Sequence, residues 1–276
     1  MFPRDVHRRP LREQARANRD KILRNEATAR KRKQSIDGEQ EATELATKLW
    51  SKRRKIMNNG NLDSENSINN AFSSMDGQLL ADYLAQRTKK FESDLSSVEL
   101  EDKYIPAAVI KDTTSWEKLR TLDNLPAYLE RFSSNPKKLW SASKKNGTPH
   151  TIIVTAAGLR AADIARVIRK FQAKDVTVAK LFAKHIKVKD AIKFLQSNRT
   201  GIAVGTPVRL DDLIEAGALA VDRLERLVLD CSHIDQKKRS ICDIPEVFTP
   251  LMQWLNRREF KERYGSNSNS LELLCY

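Results

Sequence analysis

Four short segments that read as strands, separated by segments with helical periodicity, dominate the sequence between residues 150 and 230. The segments are "TIIVTA" (151–156), "DVTVAKLF" (175–182), "GIAVGT" (201–206) and "LERLVLD" (224–230). The first is a continuous apolar run, which is typical of a strand that is buried on both faces of a parallel sheet. Strands that alternate with helices predict a doubly wound α/β fold. We therefore expect one parallel sheet covered by helices, followed by a long helix over about 245–263.

Charge divides the remainder of the chain. Residues 1–60 carry 17 Lys/Arg against 8 Asp/Glu, whereas residues 61–100 carry 3 against 7. Apolar residues in the first 60 positions are too sparse to build a core, so we expect a disordered or helical arm there. The chain is expected to have four parts: a basic arm and polar linker (1–70, with coil at 58–70), a helical N-terminal extension (71–149), the α/β domain (150–264) and a flexible tail (265–276).

The extension contains several helix signals. Apolar residues between 79 and 91 follow helical spacing. Ser96 and Glu99 form a capping-box pattern, and Thr114 with Glu117 repeats that pattern. Asn124 followed by Pro126 predicts one more helix start, because proline is tolerated in the first turn. These short amphipathic elements are expected to pack on a larger body.

The formal net charge of +14 and the isoelectric point near 9.7 favour a polyanionic partner. Short Lys/Arg clusters of the kind found in the arm can serve nuclear import or bind nucleic acid, and the alternative is a solvated helical tail. The clustered arm residues are Arg30, Lys31, Arg32, Lys33, Lys52, Arg53, Arg54 and Lys55.

Cysteine and histidine spacing gives no metal-site pattern, and we expect neither a metal nor another cofactor. Cys231, Cys242 and Cys275 contain no C-x-x-C pair, and their odd number does not suit a secreted disulfide framework. His150 and His185 have no companions at ligand spacing. No apolar run approaches the roughly 20 residues of a membrane helix, so we expect an intracellular protein without a membrane partner.

Ligands of doubly wound sheets bind at the carboxyl ends of the strands. Three strand ends here resemble motifs of the DEAD-box RNA helicases, in the same order. "TIIVTAAGLRAADIARVI" resembles the Pro-Thr-Arg-Glu-Leu region, "VGTPVRLDDLI" the Thr-Pro-Gly-Arg motif with Val208 in place of glycine, and "LVLDCSH" the Asp-Glu-Ala-Asp strand. The resemblance covers residues 150–260 and implies a single RecA-like domain, most of which lies in this range.

The same comparison indicates that the ATP chemistry is missing. The sequence contains no Gly-Lys dipeptide, so it lacks the lysine of a P-loop. By the resemblance, Asp230 stands at the magnesium-holding position, while Cys231 replaces the glutamate that positions water and His233 replaces the final aspartate. We therefore expect no enzyme activity, no catalytic residue and no small-molecule substrate.

The motifs that contact RNA in these helicases are better preserved. The resemblance implies backbone contacts by Gly205, Thr206, Arg209 and Arg160. Structural alternatives are helix capping by Thr206, an ion pair of Arg209 with Asp211 or Asp212, and a strand-end loop in which Asp230 and Asp235 pair with Lys237, Lys238 and Arg239.

The segment "LADYLAQRTKKFESDLSSVELEDKYIP", followed by "DTTSW" and the degenerate domain, is similar to the eukaryotic Cms-one family of small-subunit processome components. This resemblance implies a nuclear and nucleolar protein that binds pre-ribosomal RNA and processome proteins during rRNA processing. Two alternatives remain open: a nucleotide-dependent RNA-remodelling enzyme with an atypical phosphate site, and a pure protein-interaction module with a nuclear import arm.

Overall fold

The computed structural model describes residues 61–183, 186–266 and 270–276, so the basic arm residues and His185 lie outside the described part. Residues 61–276 form one compact unit. Its strands are β1 (Leu62–Asp63), β2 (Ile68–Asn69), β3 (Thr151–Val154), β4 (Thr177–Leu181), β5 (Thr200–Gly205), β6 (Arg226–Leu229) and β7 (Glu272–Cys275). Its α-helices are α1 (Gly77–Phe91), α2 (Ser97–Asp102), α3 (Leu125–Arg131), α4 (Gly158–Val167), α5 (Val188–Ser197), α6 (Pro207–Glu215), α7 (Pro245–Leu255) and α8 (Arg258–Lys261).

The core of the fold is a five-stranded parallel sheet in the order β4-β5-β3-β6-β7. The α/β fold class is therefore confirmed. Successive side chains of a strand point to opposite faces of a sheet. In β3, Ile152 and Val154 accordingly join one hydrophobic core, whereas Ile153 joins the other. All residues of β3 and β6 are buried, including Arg226 at the start of β6.

Helices cover both faces of this sheet. Buried residues of α1, α5, α6 and α7 share the first core with the sheet, and buried residues of α3 and α4 share the second. The N-terminal extension therefore contributes to the same two cores as the strands, because α1 lies over one face and α3 over the other.

Two predicted helix starts in the extension are confirmed and another is wrong. Asn124 is the N-cap residue of α3, with Pro126 in its first turn. Ser96 and Glu99 form the full reciprocal capping box at the start of α2. No helix begins at Thr114, because the Asp112 carboxylate accepts hydrogen bonds from the Thr114 N–H and hydroxyl. Such a local side-chain bond offers the backbone an alternative to the helix. Trp116 is instead buried edge-on against Tyr128.

The expected coil at 58–70 is wrong from residue 62 onward. β1 and β2 pair as a small antiparallel hairpin, and the Asp63 carboxylate accepts bonds from the N–H groups of Glu65 and Asn66 in its turn. Ile68 is almost fully buried, and the Asn69 N–H donates to the Ser232 carbonyl at 2.7 Å. A single buried isoleucine in a polar stretch leaves no periodicity, which is why the pattern gave no signal.

The C-terminal end also differs from expectation. The predicted helix over 245–263 ends at Leu255, because the Asn256 side chain donates to the Met252 and Lys103 carbonyls and α8 starts separately at Arg258. The expected flexible tail 265–276 contains β7, which pairs along β6. Its apolar side chains are buried on both faces of the sheet, so they complete the two cores.

Candidate functional site

The three strand ends that carry the sequence motifs lie side by side. β3 is flanked by β5 and β6, with Val154 in register with both Gly205 and Leu229. The Thr155 N–H donates to the Gly205 carbonyl at 3.1 Å, and the Asp230 N–H donates to the Val154 carbonyl at 2.9 Å. The carboxyl edge of the central strands is therefore one continuous site.

The centre of this site is a buried ion pair between Asp230 and Arg160. The Arg160 Nε donates to Oδ2 of Asp230 at 2.9 Å, and Nη2 donates to Oδ1 at 3.0 Å. The Thr155 hydroxyl donates to the same Oδ2 at 2.7 Å. Side-chain exposure is 3% for Asp230 and 11% for Arg160. Both carboxylate oxygens thus have fixed partners with little access to water.

Burial alone lowers the pKa of Arg160, but the attraction of Asp230 and its hydrogen bonds outweigh that effect, so the pKa of Arg160 is raised. The guanidinium therefore stays charged and neutralises the carboxylate. A magnesium ion keeps several bound waters, so it needs carboxylate oxygens that are accessible to a hydrated ion. Within the part of the chain that the structure describes, no cluster of three His, Cys, Asp or Glu side chains could hold a metal.

The β5–α6 turn contains the other predicted RNA-binding residues. A Cβ on Gly205 would lie 2.5 Å from the Leu181 carbonyl oxygen, so only glycine fits there. Thr206 is the N-cap residue of α6 and Pro207 its first residue, but the Thr206 side chain makes no capping hydrogen bond. The side-chain capping alternative for Thr206 is therefore wrong, while Pro207 fills the position expected of it.

Arg209 is the third residue of α6 and is 8% exposed. Its Nη1 donates to the Ile186 carbonyl at 2.9 Å, and its Nε lies 4.0 Å from the Asp212 carboxylate. Asp211 pairs instead with Arg257. Arg160 and Arg209 therefore lie at the same edge of the sheet, and each guanidinium binds a group of the protein itself.

The loop after β6 behaves mainly as a structural loop. The Asp235 carboxylate accepts bonds from the N–H groups of Lys237 and Arg239 and pairs with the Arg239 guanidinium. Asp230 pairs with Arg160, so the expected pairing of Asp230 with the Lys237–Arg239 stretch is wrong. Burial lowers the pKa of His233, which keeps its imidazole neutral at pH 7.

The three cysteines meet at the sheet, which their sequence spacing did not reveal. All three are free and fully buried, and the Cys231 thiol contacts the thiols of Cys242 and Cys275. These contacts and burial raise the pKa of Cys231 well above its usual value. The contact between Cys231 and Cys275 depends on β7 pairing with β6, and no strand is predicted at residues 272–275.

The buried thiols should be inert in the folded protein. Reaction with a thiol-specific chromogenic reagent is expected to be on the order of 10³-fold slower in native than in unfolded protein. Only the thiolate form of cysteine reacts, and the reagent reaches these buried side chains only when the protein opens locally. The measurement compares stopped-flow labelling in buffer and in urea, where all three thiols should react. Fast labelling of any of them under native conditions would contradict this packing.

None of the described helices has the length and apolar character needed to cross a bilayer.

A family model described as "CMS1: U3-containing 90S pre-ribosomal complex subunit" matches residues 12–274. "Protein CMS1" of Chaetomium thermophilum is 57% identical over 225 residues, which cover 82% of this chain and 90% of the relative. "Protein cms1" of Schizosaccharomyces pombe is 31% identical over 192 residues (70% and 68%), and human "Protein CMSS1" is 32% identical over 150 residues (54% and 52%).

Proposed function

Because the chain belongs to the CMS1 family, described as a subunit of the U3-containing 90S pre-ribosomal complex, we propose that it is a non-catalytic RNA- and protein-binding component of that early particle. Family membership supports a role in ribosome assembly. The finer proposal is that it supports rRNA processing in the nucleolus by holding RNA and neighbouring proteins, without turning over nucleotide.

The observation that carries the non-catalytic part is the Asp230–Arg160 pair. In the helicases that the chain resembles, the corresponding aspartate must be accessible to magnesium. Here the guanidinium and the Thr155 hydroxyl engage both carboxylate oxygens. The neighbouring Cys231, at the position of the water-orienting glutamate, is buried among two other thiols. A neutral buried thiol cannot accept a proton from water, so this edge supports structure better than hydrolysis.

The support for RNA binding is charge. The first 60 residues carry a net charge of +9, as does the whole segment 101–276. Contacts between such residues and phosphates release counterions, so the affinity for RNA should fall steeply with salt. We further propose that the β5–α6 turn, with Gly205, Thr206 and Arg209, lies next to bound RNA and that Arg160 contributes charge at the same edge.

Crosslinking of the full chain to RNA, with sequencing of the crosslinked fragments and gradient sedimentation, tests this proposal. The proposed function predicts sedimentation with early pre-ribosomal particles and crosslinks to pre-ribosomal RNA. A variant without residues 1–60 should lose most crosslinking. If that variant changes localisation only, and crosslinking of the full chain is already at background, the chain is a protein-interaction module with an import arm.

Arg209→Ala is expected to weaken RNA binding by the full chain about three- to tenfold at fixed salt, because one guanidinium beside the turn is lost. The substitution also removes the bond to the Ile186 carbonyl. A fall of about 1–2 kcal/mol in the free energy of unfolding is therefore expected alongside.

Filter binding at two salt concentrations measures the affinity, and urea unfolding measures the stability. Arg223→Ala, at an exposed arginine just before β6, is the matched control for loss of one charge. Unchanged RNA affinity in a folded Arg209→Ala variant would make this arginine purely structural.

A further inference from the structure

The two outer strands of the sheet, β7 and β4, differ in what lies beside them. Along β7, Ile110 forms a parallel bridge with Leu273, and the Lys111 N–H donates to the Leu273 carbonyl at 2.8 Å. This edge is therefore covered by the extension. At the other end of the sheet, β4 pairs with β5 on one side, and no described strand pairs with its other side. An open edge of this kind presents backbone groups to any strand that can reach it.

The outward-facing backbone groups of β4 follow from its pairing with β5. The Thr177 N–H donates to the Arg199 carbonyl beside β5, and the Leu181 carbonyl oxygen lies close to Gly205 of β5, within 2.5 Å of where a Cβ would be. Alternate residues of a strand in a parallel sheet bond to the same neighbour. The register of β4 with β5 shifts between Thr177 and Val178 and is regular from Val178 to Leu181. Val178 and Lys180 therefore direct their N–H and C=O groups away from β5, and of the two residues Lys180 is exposed while Val178 is 5% exposed.

A groove lies on each side of this open edge. One, of about 270 Å³, is lined by residues of α4 and the segment after it, together with Phe182 and Ile186. The other, of about 350 Å³, is lined by Asp190, Ala191 and Phe194 of α5 and by Thr177 and Val178. Lys180 and Ile186 line both grooves, so the two grooves flank the same edge strand. An added strand could place alternate side chains into them.

The charge around this edge selects the partner. Residues 158–193 contain ten Lys/Arg against three Asp/Glu, a net charge of +7 that equals half of the total for the chain. The first groove is lined by Arg166, Arg169 and Lys180 and by no acidic residue. All three are exposed. A second copy of β4 would bring one Lys180 against another, which disfavours self-pairing.

We propose that β4 is a docking edge for an extended acidic segment of a partner protein, which adds to the sheet as a sixth strand. Backbone bonds to Val178 and Lys180 would hold the segment. Its apolar side chains would enter the groove beside Phe194, and its carboxylates would meet Arg166 and Arg169. This inference goes beyond RNA binding, because RNA would use the charges but not the backbone edge.

Fluorescence anisotropy of the full chain with a labelled eight-residue peptide of alternating valine and glutamate tests the proposal. The peptide is expected to bind, and N-methylation of the amides on one edge should weaken binding at least about tenfold, because the backbone bonds are lost. A peptide of alternating valine and lysine should not bind. Equal binding of the methylated and unmethylated peptides would overturn the proposal, whatever happens to the protein variants.

Val178→Pro removes the outward N–H at a position where an edge strand tolerates proline. This variant should weaken peptide binding at least about tenfold, while its affinity for a 20-nucleotide uridine RNA should stay within about twofold. Val178→Ala, which keeps the N–H, serves as control.

The charge-reversed triple variant Arg166→Glu/Arg169→Glu/Lys180→Glu should also lose peptide binding. Reversal of three exposed lysines elsewhere, Lys89→Glu/Lys118→Glu/Lys137→Glu, should not. Loss of RNA binding alone in the first triple variant, with the peptide still bound, would make this edge an RNA surface instead.

Discussion

Arg160→Ala is expected to lower the free energy of unfolding by about 3–5 kcal/mol, because it leaves the Asp230 carboxylate charged and unpaired inside the protein. The aspartate is 3% exposed and would retain only the Thr155 hydroxyl as its side-chain donor at that site. Urea denaturation followed by circular dichroism at fixed pH and salt gives this free energy. The effect is large because one buried charge without its partner costs far more than the net contribution of the pair.

Two further variants separate the pair from helix effects. Arg166→Ala, on the same helix with a side chain that is 68% exposed, should cost less than about 1 kcal/mol, because it removes only a surface pair with Asp163. The double variant Arg160→Met/Asp230→Asn should recover most of the loss, since no buried charge remains. If Arg160→Ala behaved like Arg166→Ala, the buried pair would not exist in solution.

Ending the chain before Leu271 is expected to abolish folding of the α/β unit. The removed segment forms β7 and buries Leu271, Leu273 and Leu274, and each buried leucine contributes about 1.5–3 kcal/mol. The hydroxyl of Tyr128 and the guanidinium of Arg120 would also lose the Cys275 carbonyl as acceptor. The total is comparable with the whole stability of a typical domain, about 5–15 kcal/mol.

Far-ultraviolet circular dichroism and limited proteolysis of the truncated chain measure this outcome. Leu274→Ala is the milder variant and should cost about 2–5 kcal/mol, because it opens a cavity in the second core. Glu272→Ala, which removes a partly exposed pair with Lys111, should cost less than about 1 kcal/mol. If the truncated chain kept native spectra and protease resistance, residues 271–276 would be a loose tail that folding does not need.

The central sheet could be predicted because its signal is local. Runs such as "TIIVTA" are long enough and apolar enough to be recognised without knowledge of their neighbours. β3, β4 and β6 lie within the predicted ranges, and β5 begins one residue earlier, at Thr200. The capping box at Ser96 was predictable for the same reason, because both of its partners lie within one helical turn.

The elements that have no local sequence signal depend on distant partners. β7 follows a polar stretch and is a strand because β6 offers it an edge. The hairpin at 62–69 is fixed by backbone bonds to Ser232 and from Ile234. A window of neighbouring residues contains neither partner, so no local periodicity could have indicated them.

The meeting of the three strand ends could be predicted from the motifs, whereas the pairing of the side chains at those ends could not. The motifs identified which strand ends meet, and the register of β3 with β5 and β6 brings them together. The motifs assigned Arg160 to RNA, yet its guanidinium binds Asp230 across 70 positions of sequence. Only the tertiary structure shows that the charges of these two residues neutralise each other within the site.

ATP turnover by the purified full chain, measured with radiolabelled ATP in the presence of magnesium and RNA, tests the central claim most directly. Because Arg160 and Thr155 engage both oxygens of Asp230, turnover should stay at the level of buffer alone, and Asp230→Asn should not change it. Magnesium-dependent hydrolysis that disappears in a folded Asp230→Asn variant would contradict the account, because it would show that Asp230 leaves its internal partners to hold a metal.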